Sequence, residues 1–283
     1  MTRLITEWIK DLEDTAAGWN EQLISMTGCG YNKLAALVSG LSEEQQAEAF
    51  SEYKVAVVPI TSGLGEIESF PQSVAAITSA MGFNSFVTSA TDVDGIWEAK
   101  RLGADVLFMA DDNRYIALNM RNGRIGDNNE ATGKGYAQLL LEFAEAECAG
   151  RRLPESGNTA VLGFGIIGRT MTAYLMGKGI VPAVYDKDPG RREDVLSMGA
   201  EWIDDAAELR KYSYILDGTS EGGWLSSEML AADVLIAAPG IPFSLDDKSS
   251  RKLEGRYLHD MLEIGTAVMM GLALAPDTSA ETI

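Results

Sequence analysis

The order of apolar and polar residues divides the chain into a helical start followed by strands that alternate with helices. In the first turns, apolar residues recur at helical spacing, at Leu4, Ile5, Trp8, Ile9 and Leu12. The segment "LSEEQQAEAF" (41–50) places a serine three residues before a glutamine, which is the signature of a capped helix. Residues 1–52 are therefore predicted to be mainly helical.

Three short apolar runs come next, separated by stretches with helical spacing. The predicted strands are 54–60, 85–90 and 105–111, with helices near 67–81 and over 93–103. Strands that alternate with helices at these lengths favour a small parallel βαβαβ unit. A polar, glycine-rich stretch over 113–135 is then expected to be a loop, and a helix is predicted over 136–149.

A second α/β series follows a polar segment at 150–158, which contains one proline and two glycines and is typical of a linker. Its predicted elements are strands at 158–163, 181–185, 213–217, 233–237 and 255–259 and helices at 166–177 and 265–275. A chain of 283 residues is long enough for two ordinary domains. We therefore predict an α/β protein with a helical, small parallel-sheet domain over 1–152 and a Rossmann domain over 153–283.

The segment "VLGFGIIG" (161–168) carries the glycine spacing of a dinucleotide-binding turn between a predicted strand and a predicted helix. In that motif, Gly163 permits the tight turn, Gly165 lets a pyrophosphate approach the backbone, and Gly168 lets the helix pack on the strand. Ile166 and Ile167 begin the helix, whose N-terminal amides and dipole favour phosphate. These residues are candidate cofactor contacts.

Asp186 ends the next predicted strand, about 20 residues further on, where a carboxylate holds the ribose hydroxyls of NAD. We therefore expect NAD in preference to NADP. Three nearby cations weakly favour NADP instead, unless they are ordinary exposed helix residues: Lys187, Arg191 and Arg192. Asp188 precedes a proline and is expected to cap a helix.

Two later strand ends are expected at the same edge of the sheet, where open α/β sheets bind ligands. Asp217 and Thr219 follow one strand, and Pro239 and Gly240 follow the next. We expect these residues to contact the nicotinamide half of the cofactor, although loops contain such residues for structural reasons as well.

Charge and composition narrow the classes of partner. The net charge of −19, from 42 acidic and 23 basic residues, argues against nucleic acid, which needs a basic surface. It suits a cationic small molecule, or simply solubility. No apolar run approaches the roughly 20 residues that a membrane helix needs. Because the N-terminus also lacks a signal-peptide pattern, we expect a cytoplasmic protein with no membrane partner.

Cysteine and histidine usage predicts no metal site. The two cysteines, Cys29 and Cys148, lie far apart without metal-ligand or disulfide spacing, and His259 is the single histidine. A histidine-based zinc site or a serine hydrolase triad would have to be built around that one residue, and nothing near it in the sequence supports either.

Seven segments together are similar to the PylD family of pyrrolysine biosynthesis dehydrogenases, and they cover most of the chain from about residue 55. They are "VVPITSGLG" (57–65), "GFNSFVTSATDVDG" (82–95), "GADVLFMADDNRYIALN" (103–119), "GRIGDNNEATGKGYA" (123–137), "VLGFGIIG" (161–168), "APGIP" (238–242) and "IGTAVM" (264–269). The resemblance implies a helical and α/β N-terminal domain joined to a C-terminal Rossmann domain.

The resemblance also implies a reaction. The family's substrate is a zwitterionic, dipeptide-like molecule, lysine acylated on its ε-nitrogen by 3-methyl-D-ornithine. NAD oxidises the terminal amine of the ornithine part, the imine loses ammonia to water, and the resulting aldehyde condenses with the α-amine to close a pyrroline ring.

A carboxylate or an ordered water must take a proton from such an amine before hydride can leave the carbon. Asp111 and Asp112 follow the third predicted strand, and alternation along a strand suggests that only one of them faces the cleft. By resemblance we assign Asp111 to the amine and an ordered water, while both could instead cap the next turn. Thr61 and Ser62, at the end of the first strand, are expected to line the same cleft.

Further substrate contacts are assigned by position. Asn128 and Asn129 suit the amide or amino-acid end of the substrate, although turns use asparagine equally often. Asp260 follows the last predicted strand, where the family is expected to have glutamate, so its role is open. The N-terminal helix resembles a lid in which Leu4 and Ile5 close over the substrate, or it simply packs on its domain.

Two other functions remain open at this point. One is an NAD-dependent amino-acid or opine-type dehydrogenase that acts on a different amine, and the other is a non-catalytic NAD sensor. The oligomeric state, a homodimer included, is also open.

Overall fold

The computed structural model describes residues 4–147 and 156–275. Four helices precede the first strand: α1 (Thr6–Ile9), α2 (Leu12–Thr27), α3 (Tyr31–Ser39) and α4 (Glu43–Glu52). The predicted capping box is present, because the Ser42 hydroxyl accepts a hydrogen bond from the Gln45 amide at 3.2 Å and the Gln45 side chain accepts one from the Ser42 amide at 2.9 Å. The helical start is thus confirmed.

The first sheet has five strands. Its elements in chain order are β1 (Lys54–Val57), α5 (Phe70–Ala80), β2 (Asn84–Val87), α6 (Asp92–Arg101), β3 (Val106–Ala110), β4 (Tyr115–Asn119), β5 (Ile125–Asp127) and α7 (Asn128–Glu147). The strand order is β2-β1-β3-β4-β5, and β1 pairs in parallel with both β2 and β3. The predicted parallel βαβαβ unit is therefore confirmed.

The stretch 113–135 differs from its prediction. It forms two antiparallel strands, β4 and β5, and the first turns of α7, which begins at Asn128 rather than at 136. Polar residues occupy core positions here, since Asn119 is fully buried and donates to the carbonyl of Ala273 at 2.9 Å. Tertiary contacts of this kind override the polar, glycine-rich composition that suggested a loop.

The second sheet is parallel throughout its six strands, in the order β11-β10-β9-β6-β7-β8. Its elements are β6 (Ser156–Leu162), α8 (Ile166–Gly177), β7 (Val181–Tyr185), α9 (Arg192–Ser197), β8 (Glu201–Trp202), β9 (Tyr214–Asp217), β10 (Leu235–Ala237), α10 (Asp247–Lys252), β11 (Tyr257–Leu258) and α11 (Glu263–Leu274). Apart from β8, which is two residues long, every strand was predicted. This is the doubly wound arrangement of a Rossmann fold.

The last helix, α11, packs on the first sheet although it follows the second in sequence. It contacts β4, β5, α3, α5 and α7, and all but its two most C-terminal leucines are buried. The boundary predicted at 152/153 lies outside the described residues. The helix α11 belongs by sequence to the predicted second domain, but it packs on elements of the first. One apolar core cluster accordingly extends from α2 through α7 and α11 to α8.

Within the described residues, no helix is both long and apolar enough to cross a membrane.

Substituting Gly126 tests the placement of α11. A Cβ atom there would lie 2.3 Å from the backbone oxygen of Met269 on α11, whereas one on Gly177 would meet nothing within 4 Å. We expect Gly126→Ala to lower the free energy of unfolding by about 3 kcal/mol, the upper end of the usual range for overpacking. Gly177→Ala should leave it unchanged or raise it by up to about 1 kcal/mol. Denaturant unfolding measures both, and equal effects would contradict this packing.

Candidate active site

The glycine turn has the geometry that its sequence predicts. Gly163 has φ +79°, a left-handed conformation that favours glycine. A Cβ on Gly168 would lie 1.8 Å from the Gly163 carbonyl oxygen, whereas one on Gly165 would meet nothing within 4 Å. No described side chain caps the N-terminus of α8 at Gly165, so its first amides are available to a ligand. Open space beside unpaired amides fits a pyrophosphate.

The two isoleucines that start α8 differ in position. Ile166 is 65% exposed, while Ile167 lines the cavity described below.

Asp186 lies beside the glycine turn, at the end of β7. Its Oδ2 accepts a hydrogen bond from the Phe164 amide at 2.6 Å, and its Oδ1 accepts one from the Asp188 amide at 2.8 Å. These bonds fix the carboxylate next to the turn. Asp188 caps a short 3₁₀ helix by accepting from the Gly190 amide at 2.9 Å, which confirms its structural role.

The cations that follow Asp186 are engaged in ion pairs. Lys187 pairs with Glu221 at 2.6 Å, Arg192 pairs with Asp204 at 3.0 Å, and Arg191 lies 3.7 Å from Asp188.

Asp217 does not have the exposure that a cofactor contact requires. Its side chain is fully buried, and the carboxylate accepts hydrogen bonds from the Thr219 amide and hydroxyl at 3.0 and 2.7 Å and from the Ser244 hydroxyl. Burial raises the pKa of this carboxyl. The prediction that Asp217 lies at a strand end is correct, but its side chain points into the core and holds the loop that carries Thr219.

A cavity of about 190 Å³ opens between the two sheets, at the carboxyl ends of β3, β9, β10 and β11 and the N-termini of α5, α7 and α11. The structure brings nine of the predicted site residues together in its lining: Leu4, Asp111, Asn128, Asn129, Ile167, Thr219, Pro239, Gly240 and Asp260. Four predicted cofactor residues and five predicted substrate residues therefore share one cleft, whereas the turn glycines, Ile166 and Asp186 lie outside its lining.

Sequence reasoning missed other residues of this lining, most of them apolar or aromatic: Ile67, Phe70, Ala110, Tyr115, Thr132, Tyr136, Gly218, Ser220, Ile241, Met261, Leu262 and Gly265. Gly218, Ser220 and Ile241, which follow the predicted strand ends, carried a positional signal.

Asp111 and Asp112 both line the cavity, contrary to the expectation that one would face away. The strand ends at Ala110, so the alternation of a strand no longer applies to them. The Asp111 Oδ1 accepts from the Asn113 and Arg114 amides at 2.8 and 2.7 Å, which are the turn-capping bonds considered above as an alternative. Those backbone bonds, chiefly the one from Arg114, lower the pKa of Asp111.

Asp112 instead holds the loop that follows β1. Its Oδ2 accepts a hydrogen bond from the Leu64 amide at 2.7 Å and would lie 2.1 Å from a Cβ atom on Gly63. The carboxylate thus holds this loop against Asp112, which itself lines the cavity.

Three predicted substrate contacts lie apart from the cavity lining. Thr61 donates its amide and hydroxyl to Asp92, at 2.9 and 2.6 Å, and neither Thr61 nor Ser62 lines the cavity. The physical reason is that β1 ends at Val57, four residues before Thr61 rather than one. Ile5 is 45% exposed and also lies outside the lining, so Leu4 is the N-terminal residue placed there.

Asp260 belongs to a buried pair of acids that the sequence did not suggest. It is 8% exposed and Glu263 is 4% exposed. Burial, and for Asp260 also the adjacent Glu263 charge, raises the pKa of both carboxyls. The available signal was a glutamate at the start of an otherwise apolar helix.

The charges of the lining are all of one sign. Asp111, Asp112 and Asp260 contribute carboxyls, and no lysine, arginine or histidine occurs among the described residues that line the cavity. A cationic group is therefore the ligand whose charge this site can compensate.

The remaining candidate chemistry is structural. His259 stacks on Phe243 with ring centroids 4.3 Å apart and hydrogen-bonds the Ala238 carbonyl through Nδ1 at 2.8 Å, and burial lowers its pKa. Cys29 is buried, and Cys148 lies outside the described residues. The described part of the chain contains no group of three or more potential metal ligands.

Known proteins resemble the chain in sequence. Residues 9–126 match the family model described as "Pyrrolysine biosynthesis protein PylD, N-terminal domain". The protein named pyrrolysine synthase in Methanosarcina acetivorans is 34% identical over 217 residues, which is 77% of this chain and 81% of that protein. The chain belongs to the pyrrolysine synthase family. A second pyrrolysine synthase, from Methanosarcina barkeri, is 32% identical over 233 residues, covering 82% of this chain and 86% of its own.

A solved structure supports the fold of this pyrrolysine synthase family member. Shikimate 5-dehydrogenase from Thermus thermophilus, in complex with NADP(H) and shikimate, aligns with a TM-score of 0.50 at 14% identity. The alignment covers 80% of this chain and 96% of that one. The likeness confirms the Rossmann-type dehydrogenase fold.

Alanine at two glycines of the turn should separate folding from ligand binding. We expect Gly165→Ala to keep the melting temperature, because its Cβ fits open space, and to weaken dinucleotide binding at least about tenfold, or ~1.4 kcal/mol, by filling that space. Gly168→Ala should instead lower the melting temperature, because its Cβ collides with the Gly163 carbonyl. Thermal unfolding and fluorescence titration measure the two effects. Unchanged dinucleotide affinity in Gly165→Ala would show that the ligand lies elsewhere.

Proposed function

We propose that this protein is an NAD-dependent dehydrogenase that oxidises the terminal amine of 3-methyl-D-ornithyl-N6-L-lysine and forms the pyrroline ring of L-pyrrolysine. The observation that carries the proposal is a small cavity lined by carboxyl groups and by Ile167 at the start of α8, next to the glycine turn, with no cationic side chain among the described residues of its lining. Family membership supports the same conclusion.

The acidic lining favours an amine over a substrate held by its carboxylate. Enzymes that bind a substrate carboxylate generally use arginine or lysine, whose donors match it. The described lining offers only carboxyls, hydroxyls, amides and apolar groups. For this reason an opine-type or amino-acid dehydrogenase is the second candidate function.

Asp111 suits the binding of an ammonium group. Its lowered pKa keeps it charged at neutral pH, and its turn-capping bonds hold Oδ1 in place. A fixed carboxylate positions the amine and an ordered water, which takes the proton that must leave before the amine can be oxidised. The nicotinamide supplies the hydride acceptor when it is bound.

The steps after amine oxidation depend on confinement in the cavity more than on an additional base. Water adds to the oxidised C=N bond and ammonia leaves, giving an aldehyde, and the α-amine attacks that aldehyde and expels water to give the ring. Phe70, Tyr115 and Ile67 line the same cavity and limit access of bulk water to it. A confined volume also holds the amine and the aldehyde close together, which favours ring closure.

The proposed catalytic role of Asp111 is tested by Asp111→Asn. Asparagine can keep the turn cap, so the fold should be preserved, while the charge that holds the amine is lost. We expect kcat/KM for NADH formation with the dipeptide to fall by roughly 10²-fold or more. Product formation is followed by mass spectrometry.

The matched control is Asp246→Asn, which alters a capping aspartate on α10 outside the cavity lining and should leave the rate unchanged. Absence of NADH and of pyrroline product with the unaltered protein would overturn the proposal. Binding of NAD without turnover would indicate a sensor.

The preference for NAD rests on Asp186. Its carboxylate lies beside the turn and would repel a 2′-phosphate, and the cations near it pair with acids. We expect NAD to bind more tightly than NADP, and Asp186→Asn to reduce that preference about tenfold, or ~1.4 kcal/mol. Titration with both dinucleotides measures the ratio. Tighter binding of NADP by the unaltered protein would refute the role of Asp186.

A further inference from the structure

Asp260 and Glu263 form a buried acid pair that has no ion-pair partner among the described residues. Asp260 precedes α11 and lines the cavity, and Glu263 is the first residue of that helix. Both are at least nine-tenths buried. Two carboxylates in such a place are unstable if both are charged, because neither is compensated by a cation.

Hydrogen bonds satisfy only some of the carboxyl oxygens of Asp260 and Glu263. The Asp260 Oδ1 accepts from the Glu263 and Ile264 amides at 3.1 and 3.4 Å, which caps α11. Glu263 Oε2 accepts from the Leu262 amide at 3.0 Å. Asp260 Oδ2 is buried and has no hydrogen-bond partner within the described residues. A buried carboxyl oxygen without a partner, on a residue that lines a cavity, points to a ligand that supplies one.

The groups that face the pair from neighbouring helices are neutral at physiological pH. Tyr136 on α7 accepts a hydrogen bond from the Asp260 amide at 3.0 Å, and Tyr31 on α3 donates to the Ala16 carbonyl at 2.9 Å. Burial raises the pKa of both phenols, so neither ionises in the physiological range. The indole of Trp19 on α2 lies near enough to favour the charged form of Asp260, although its N–H makes no hydrogen bond within the described residues.

We propose that Asp260 and Glu263 share one proton in the free enzyme and release it when an ammonium group of the substrate binds at Asp260. The inference rests on the proposed function for the identity of that group, since the methylornithine part carries two amino groups and the cavity offers Asp111 for one and Asp260 for the other. An arriving cation supplies the missing compensating charge, which favours ionisation of the pair. The proton lost is thereby exchanged for the bound ammonium.

Infrared spectroscopy of the unliganded protein tests the shared proton without any substrate. At neutral pH we expect absorption from neutral carboxyl groups, one component of which disappears in Asp260→Asn. In Glu263→Gln that component should persist but titrate at lower pH, because a neighbouring negative charge has been removed. Asp217, a buried carboxyl elsewhere in the fold, serves as an internal reference, because any absorption that it contributes should be unchanged in both variants. No component sensitive to Asp260 would overturn the shared proton.

Calorimetry tests the exchange. Binding of the lysyl-methylornithine dipeptide without NAD, measured in two buffers of different ionisation enthalpy, should release about one proton per site near neutral pH. Asp260→Asn should release far less, whereas the control Glu208→Gln, which alters a partly exposed acid paired with Lys211 outside the cavity lining, should match the unaltered protein.

Dipeptide binding without proton release would overturn the exchange while leaving the proposed function intact. Failure of the dipeptide to bind would overturn both the proposed function and the exchange, and the infrared result would then decide the shared proton by itself.

Discussion

The close approach of α7 and α11 is the constraint on which the cavity depends. A Cβ atom on Gly265 of α11 would lie 2.8 Å from both the Asn128 Oδ1 and the Thr132 Oγ1 of α7. Because these helices meet near their N-termini, Asn128 and Asn129 at one helix start and Asp260 beside the other face the same space. The two helices also join the sheets, since α11 packs on the first and α7 contacts β9 and β10 of the second.

Environment, more than residue type, distinguishes the acids of the site. Asp111 is exposed and accepts hydrogen bonds from two backbone amides, and these bonds stabilise its charged form. Asp260 is buried next to Glu263, and both the burial and the neighbouring charge destabilise its charged form. Carboxyls whose pKa values are pushed apart in one site can take different roles. Helix-capping bonds make Asp260 part of the fold as well, so its chemistry and the position of α11 are linked.

Much of the fold could be predicted from sequence because local rules and tertiary structure agree there. Apolar strands alternating with helices predicted the parallel part of the first sheet and five of the six strands of the second, and the glycine spacing located the tight turn between β6 and α8. Prediction failed where tertiary contacts dominate. Asn119 is polar but buried, so β4 did not show the pattern of a strand, and no local residue pattern indicated that α11 packs on the first sheet. Strand-end position located the cleft but not side-chain direction, since Asp217 turns into the core and Thr61 lies beyond the true end of β1.

Under the proposed function, the acidic cavity also limits how the zwitterionic dipeptide would lie. Its amines are attracted to Asp111, Asp112 and Asp260, whereas its α-carboxylate, at the lysine end, would be repelled by them. The described lining contains no cation to offset that repulsion. Charge would therefore direct the ornithine end, which has two amino groups and no carboxylate, into the cavity, whose lining also includes Thr219, Pro239 and Gly240 at the strand ends of the second sheet. In the proposed reaction, charge alone would thus place the ornithine end in the space that the two sheets share.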